Sequence, residues 1–424
     1  MSSSDAAPST RDVPPAVVIG LDSLTGLQTA RILHARAIPV YGVVADRTHW
    51  GARTNTCVEV SESALSGTDL VGALVSLGQR LPRRAVLLPC TDSAVHTVSR
   101  HRDRLHDAFT IALPDHEVVD LLMDKVRFAR YAADHGLPVP RTELVSDRSQ
   151  AEVVAESIDY PCVLKPPGKT PAWLARTRAK GFVVTDATTL LDTYDRIASW
   201  VPLLLVQEWI PGAETELYSC NAVFSRDGRP LTTFVARKVR QWPPGVGTSA
   251  SGEECRNDEV LETTLRLFGG LGHRGLAYLE MKRDARTGQL LVVEPNVGRP
   301  TGRSAIAEQG GVELLLTAFC DAADLPLPTS RHQAYGDARW LDVRRDVQAA
   351  LVARRRKTLT LRQWWGWVRG PKAHAIWSRE DPGPFVADVI RASRTGIRSL
   401  RATRNGSTGP VHVNRNRAED GLRA

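Results

Sequence analysis

No run of about eighteen apolar residues occurs in the 424-residue chain, so no segment has the length and character of a membrane-spanning helix. Cysteine is scarce: Cys57, Cys90, Cys162, Cys220, Cys255 and Cys320 lie far apart and never form a C-x-x-C pair. That spacing supplies neither a zinc site nor a disulfide framework, and it predicts reduced, structural thiols. The eleven histidines are equally scattered, which leaves no spacing for a transition-metal centre. A basic start with an apolar core is missing as well. Residues 1–15, with Ser, Ala, Asp and Pro, are read as a disordered leader on a cytoplasmic protein. Two nucleotide signatures fail. Gly20 and Gly26 lack the G-x-G-x-x-G spacing of a dinucleotide site, so a turn that packs strand on helix is the better reading. Gly168-Lys169-Thr170 resembles the end of a P-loop, but Val163 stands where that loop needs a glycine.

What is present belongs to a soluble globular protein, 42% hydrophobic and 24% charged, long enough for two or three structural units. The net charge of +8 is uneven. Twenty of the 55 Lys and Arg, but only 8 of the 47 Asp and Glu, lie from Arg331 onward, so the tail carries +12 and residues 1–330 carry −4. The main body has no electrostatic case for binding nucleic acid.

Strand-like runs at 17–21, 39–44, 85–89 and 109–113 alternate with helical stretches, the pattern of a parallel sheet covered on both faces. Thr91 and Asp92 follow the third strand, where such sheets meet ligands; an N-cap is the plainer reading. A helix is predicted over 121–136, ending at Gly136 before Pro138 and Pro140. Further strands follow at 161–165, 182–184 and 203–208, then longer ones at 216–224 and 231–238. A hairpin joins 277–282 to 290–294 through Arg286-Thr287-Gly288.

That hairpin carries Glu280 on its first strand and Glu294 and Asn296 at the end of its second. Two carboxylates and an amide oxygen at a sheet end suit Mg²⁺; a structural network with Lys282 and Arg299 is the alternative. Cations recur upstream. Lys125 opens a helix, Lys165 ends a strand, and Lys180 precedes another. In Ala236-Arg-Lys-Val-Arg240, Lys238 and Arg240 are placed to grip phosphate or acyl phosphate, or else to guard a strand edge.

Four motifs stand in order: Asp124-Lys-x-x-Phe128, Pro161-x-Val-Leu-Lys-Pro166, Gln207-Glu-x-Ile-Pro-Gly212 and Glu294-Pro-Asn296. The series resembles the ATP-grasp superfamily, in particular the branch similar to carbamoyl-phosphate synthetase and the carboxylate–amine ligases, over residues 15 to 325. The resemblance implies an α/β fold: an N-terminal parallel-sheet domain (16–115), then an ATP-grasp domain of two α+β subdomains (116–328) with a lid at about 145–205. It implies ATP as co-substrate and Mg²⁺ or Mn²⁺ on Glu280, Glu294 and Asn296. Lys125, Lys165 and Lys180 match phosphate-binding cations. Gln207, Glu208, Trp209 and Ile210 match the hinge that reads adenine, and Glu214, with Glu216 in reserve, matches the ribose acceptor. The sequence departs from the pattern twice. Residues 166–179 are bulkier and more basic than the family's flexible loop, with Lys169, Arg176 and Arg178 as closing cations. The expected arginine position is Gly298, which leaves Arg299 or Arg303 to hold the carboxylate.

Residues 329–401 read as a basic helical extension containing Trp364, Trp365, Trp367 and Trp377, followed by a disordered tail over 402–424. The span 342–400 suits a membrane interface or an acidic partner; alternatively its tryptophans pack on the body as an appendage, in which case a chain ending near Pro328 would keep ATP binding while exposing an apolar patch. Together these features imply an ADP-forming ligase joining small carboxylates to amines. The alternatives are a nucleotide-binding protein without catalysis, docked by its tail, or a bicarbonate-using carboxylase or carbamoyl-phosphate-type enzyme.

Overall fold

The computed structural model describes residues 13–404 except Lys169, Arg178 and Val246, with side chains as far as Ser393. Most of the leader, the tail beyond 404 and the closing cations Lys169 and Arg178 therefore lie outside the described residues. The chain divides into two compact units. One takes in residues up to 120, 213–281 and 294–393; the other has 121–212, 282–293 and the end of the last helix.

The first unit begins with β1 (Ala16–Ile19), β2 (Val40–Val44), β3 (Glu59–Glu62), β4 (Ala85–Pro89) and β5 (Phe109–Ile111), a parallel sheet in the order β3-β2-β1-β4-β5. Every residue of β1 and β4 is buried, as strands covered on both faces must be. Ser23 caps the first helix, Leu24–His34, by accepting from the Gly26 amide. A Cβ at Gly26 would collide with the Gly20 carbonyl, so these glycines serve strand-on-helix packing.

The second unit holds β6 (Thr142–Val145), β7 (Cys162–Lys165), β8 (Phe182–Val184) and β9 (Leu204–Glu208), antiparallel in the order β6-β9-β7-β8. The helix expected over 121–136 is two helices, His116–Met123 and Lys125–Asp134. Asp124 breaks them by accepting from the Val126 and Arg127 amides, the competition a short acidic side chain offers to a helix interior. The stretch expected as a lid loop contains the short helix Pro171–Arg176, capped by Thr170. Its Trp173 is fully buried against Phe182 and Trp200 and donates its indole N–H to the Ala179 carbonyl.

The remaining strands form one sheet: β10 (Leu217–Phe224), β11 (Pro230–Trp242), β12 (Thr248–Glu254), β13 (Gly275–Arg283), β14 (Leu290–Val297), β15 (Arg339–Leu341) and β16 (Ala373–His374), ordered β14-β13-β10-β11-β12-β15-β16. Gly288, at φ +73°, turns the β13–β14 hairpin. The last two strands correct the expectation of a purely helical appendage. β15 pairs with β12 and buries Trp340, covering what would otherwise be an open sheet edge. Past β16, Arg31 of the first helix donates to the Ile376 carbonyl (2.8 Å) and to Asp381 (2.9 Å). Helices Val343–Arg355 and Leu361–Val368 lie between the two strands in sequence.

Candidate functional site

The candidate residues divide between the units. In the first, Lys238, Glu280 and Arg303 come together around one face of the large sheet. The Lys238 ammonium, almost fully buried, is 3.4 Å from the Glu280 carboxylate, and the Arg303 guanidinium is 4.0 Å from the same oxygen. Arg303 donates to the hydroxyls of Ser249 (2.6 Å) and Ser219 (2.9 Å). Burial pulls the Arg303 guanidinium below its ordinary value, with Glu280 and then Tyr278 opposing. Two buried cations thus face one half-buried carboxylate, and buried charges of this kind persist only where they are paired.

Beside it, Arg299 is fully engaged. It donates to the Asp92 carboxylate, to the Tyr278 hydroxyl (2.6 Å) and to the Asn296 amide oxygen (2.6 Å). Burial alone would lower its guanidinium; Tyr278 and Asp92 outweigh that and hold it above its usual value. The Tyr278 phenol is pushed well up, first by burial, with Glu280, Glu294 and Asp92 adding to the shift and Arg299 opposing it. Of these groups Arg299 is the one that touches Tyr278, and Asp92 is joined to it through Arg299. Thr91 takes the plainer of its two readings, capping the helix Asp92–Arg100, while Asp92 itself reaches Arg299. By donor type alone, two carboxylates and one amide oxygen without sulfur or imidazole suit a hard divalent cation such as Mg²⁺, and the Asn296 oxygen would share that role with its bond from Arg299.

Arg240 does not join this group. It pairs with buried Asp346 at 2.7 Å and stacks 4.7 Å above the Trp367 ring. The cause is a bulge in β11. Lys238 pairs with Gly252 and Arg240 with Ser251, so the register slips between them. Regular alternation would put residues 238 and 240 on one face, and an extra residue sends them to opposite faces. Arg240 therefore shares Trp367 with Glu253, the partner of Arg237, and Lys238 turns to Glu280.

Glu214, matched to the ribose acceptor, uses both oxygens on main-chain amides, Gln241 at 2.8 Å and Gly245 at 2.7 Å, and so clamps the turn after β11. Glu216 accepts from the Tyr218 hydroxyl (3.0 Å).

In the second unit, Lys165 donates to the Gln207 side-chain oxygen (2.6 Å), and Gln207 in turn donates to Thr142 (2.7 Å). Lys125 reaches the Pro167 carbonyl (3.3 Å), and Lys180 is exposed. Within the hinge, the Glu208 and Trp209 amides are held by the Arg141 and Pro161 carbonyls. Lys282 donates to the Ile210 carbonyl (2.7 Å) and sits 5.6 Å from the Trp209 ring centre. None of these bonds uses the Ile210 N–H.

Sequence reasoning missed Tyr278, Ser219 and Ser249. Tyr278 was within reach, because strand alternation puts it on the face of Glu280 two residues on. Burial pushes the thiols of Cys57, Cys90, Cys162, Cys220 and Cys255 up to about 12, as inert structural cysteines require.

No family model matches the sequence. Among curated proteins the chain is similar to a D-aspartate ligase of Enterococcus faecium, 22% identical over 232 residues, covering 53% of this chain and 55% of that one. It is also similar to a D-alanine–D-alanine ligase of Ectopseudomonas mendocina, 24% identical over 190 residues, covering 42% of this chain and 55% of that one. The chain thus spans about half the length of the curated relatives it matches. Among solved structures, N5-carboxyaminoimidazole ribonucleotide synthetase from Thermus thermophilus covers 76% of this chain and 81% of its own, at 16% identity and a TM-score of 0.58. Biotin carboxylase from Campylobacter jejuni covers 76% and 74%, at 13% identity and the same TM-score. These structural likenesses establish the fold.

Proposed function

We propose that the chain is an ATP-grasp enzyme, an ATP-dependent ligase that activates a small carboxylate for attack by an amine; its fold and its likeness to two curated ligases support this reading. The observation that carries the proposal is the cluster of Lys238 and Arg303 around Glu280, with the Tyr278–Arg299–Asn296 hydrogen bonds. Two curated relatives are named as ligases of D-aspartate and of D-alanine, so we assign an amino acid as one substrate.

Lys125, Lys165 and Lys180 offset charge on the phosphates of ATP, and the 207–210 segment receives the adenine edge. Glu280, Glu294 and Asn296 would hold Mg²⁺ or Mn²⁺, which when bound spreads the negative charge of the terminal phosphates. A substrate carboxylate oxygen, oriented by Arg303, attacks the γ-phosphorus; the bond to the β-phosphate oxygen breaks and ADP leaves. The amine nitrogen then attacks the acyl carbon and expels phosphate, losing a proton. Such transfer is governed by positioning and electrostatics, which a site built of fixed cations supplies without a protein nucleophile.

The test is ADP release by the purified protein across pairs of amino acids. Turnover that requires both an acid and an amine and yields ADP with phosphate supports the ligase. AMP with pyrophosphate would overturn the acyl-phosphate route, and turnover needing bicarbonate alone would move the protein to the carboxylases. Glu294 is exposed, so Glu294→Gln should stay folded while turnover falls by at least about 100-fold and the metal requirement rises. Parental turnover in that variant would remove Glu294 from the metal set.

A further inference from the structure

The helix Val343–Arg355 has two unlike faces. Inward, Asp346, Ala349 and Ala350 are buried, and Asp346 holds Arg240. Outward, Val343, Val347 and Leu351 follow one another every four residues, all exposed, with Leu351 at 50%. Four-residue spacing keeps them on one stripe. The next helix repeats the pattern with Leu361 and Trp365, 55% and 54% exposed. The two stripes meet, because Val347, Leu351, Leu359 and Leu361 line a single groove of about 110 Å³ open to solvent. Contiguous exposed apolar surface of this kind marks an interaction site.

Charge says what lies opposite. Residues 343–372 contain nine Lys or Arg and one acid, Asp346, which is buried on Arg240. Arg344 and Arg345 turn to Asp388 and Asp342, whereas Arg354, Arg355, Arg356, Lys357 and Arg362 stand exposed around the groove and its connecting turn. A surface with an apolar stripe, an outward tryptophan and cations without exposed acids is complementary to a layer that is apolar inside and anionic at its face. A nucleic acid would have no use for the leucines. We propose that this surface seats the protein on anionic lipid, with Leu351, Leu361 and Trp365 entering the headgroup region and the arginines meeting the headgroups. Among the described residues no helix is long and apolar enough to cross a membrane.

The test is co-sedimentation of the full chain with vesicles of phosphatidylcholine alone or mixed with phosphatidylglycerol, at low and high salt. The full chain pellets with the anionic vesicles at low salt, is largely released at high salt, and stays in solution with phosphatidylcholine. Leu351→Asp with Trp365→Asp, both on exposed positions outside the proposed ligase site, lowers vesicle binding at least tenfold while ATP binding and circular dichroism stay parental. Reversal of Arg354, Arg355 and Arg356 to Glu does the same. Absence of binding to anionic vesicles at low salt overturns the proposal and leaves an acidic protein as the occupant. Parental binding by the Leu351→Asp, Trp365→Asp variant overturns it too, since the stripe would then take no part.

Discussion

The two cations of β11 show how far one residue of offset reaches. Lys238 serves the proposed site and Arg240 serves the framework, because a bulge at residue 239 parts them. Asp346 is 1% exposed and depends on Arg240 for its charge balance. Arg240→Ala is therefore expected to destabilise the protein by about 3–5 kcal/mol, the usual result of leaving a buried charge alone. A fall in the denaturation midpoint with unchanged turnover per folded molecule is the predicted pair of results; lost turnover at parental stability would return Arg240 to the active site. His273 gives a pH signature. It is fully buried against Phe224 and Phe268, with its Nε2 on the Leu276 carbonyl, and burial lowers its pKa to about 4. The unfolded chain takes up this proton first, near its ordinary 6.5, so the contribution is complete above that pH and is lost as pH falls towards 4. Urea midpoints across that window should reveal a decline of about 3 kcal/mol that His273→Gln largely removes.

Elements differed in how much of them the sequence disclosed. The hairpin of Glu280 and Glu294 was legible because two apolar runs, each ending in a glutamate, flank a glycine turn, and β13 and β14 occupy those runs. The parallel strands β1 and β4 were legible as short, wholly apolar runs, each followed by a helical stretch. The bulge was not, since nothing in Arg237-Lys-Val-Arg240 marks an extra residue; pairing with β12 decides it. β15 and β16 are three and two residues long, too short for any periodicity to register. Glu214 lay hidden differently, as a carboxylate in a ligand-binding motif that is taken up by amides of its own unit. Glu214→Ala should release those amides and raise hydrogen exchange over 241–248, with little effect elsewhere. If exchange there stays parental while the KM for ATP rises, the residue holds ribose and its clamp is incidental.

At the scale of the whole molecule, the basic tail is part of the fold. Trp340 is 1% exposed between its neighbours, and Asp381 receives Arg31, Thr54 and Asn55 from the first hundred residues. A chain stopped after Pro328 loses β15, β16 and Asp381 together, opening the edge of β12 and leaving Arg31 half-buried without its carboxylate. The expected outcome is aggregation or a collapsed, poorly cooperative protein on expression, read by solubility and thermal melts. A soluble truncated chain that melts like the parent would mean that the extension adds nothing to the core.

The bond between Arg31 and Asp381 spans 350 positions of chain. Synthesis delivers the first helix early and its last partners late, so the N-terminal sheet must wait on the ribosome with Arg31 unsatisfied until residue 381 has emerged. Residues 121–212 form their small sheet from strands close in sequence and need no such wait. Refolding from denaturant should therefore be biphasic, the local sheet first and the closure of the chain's two ends last.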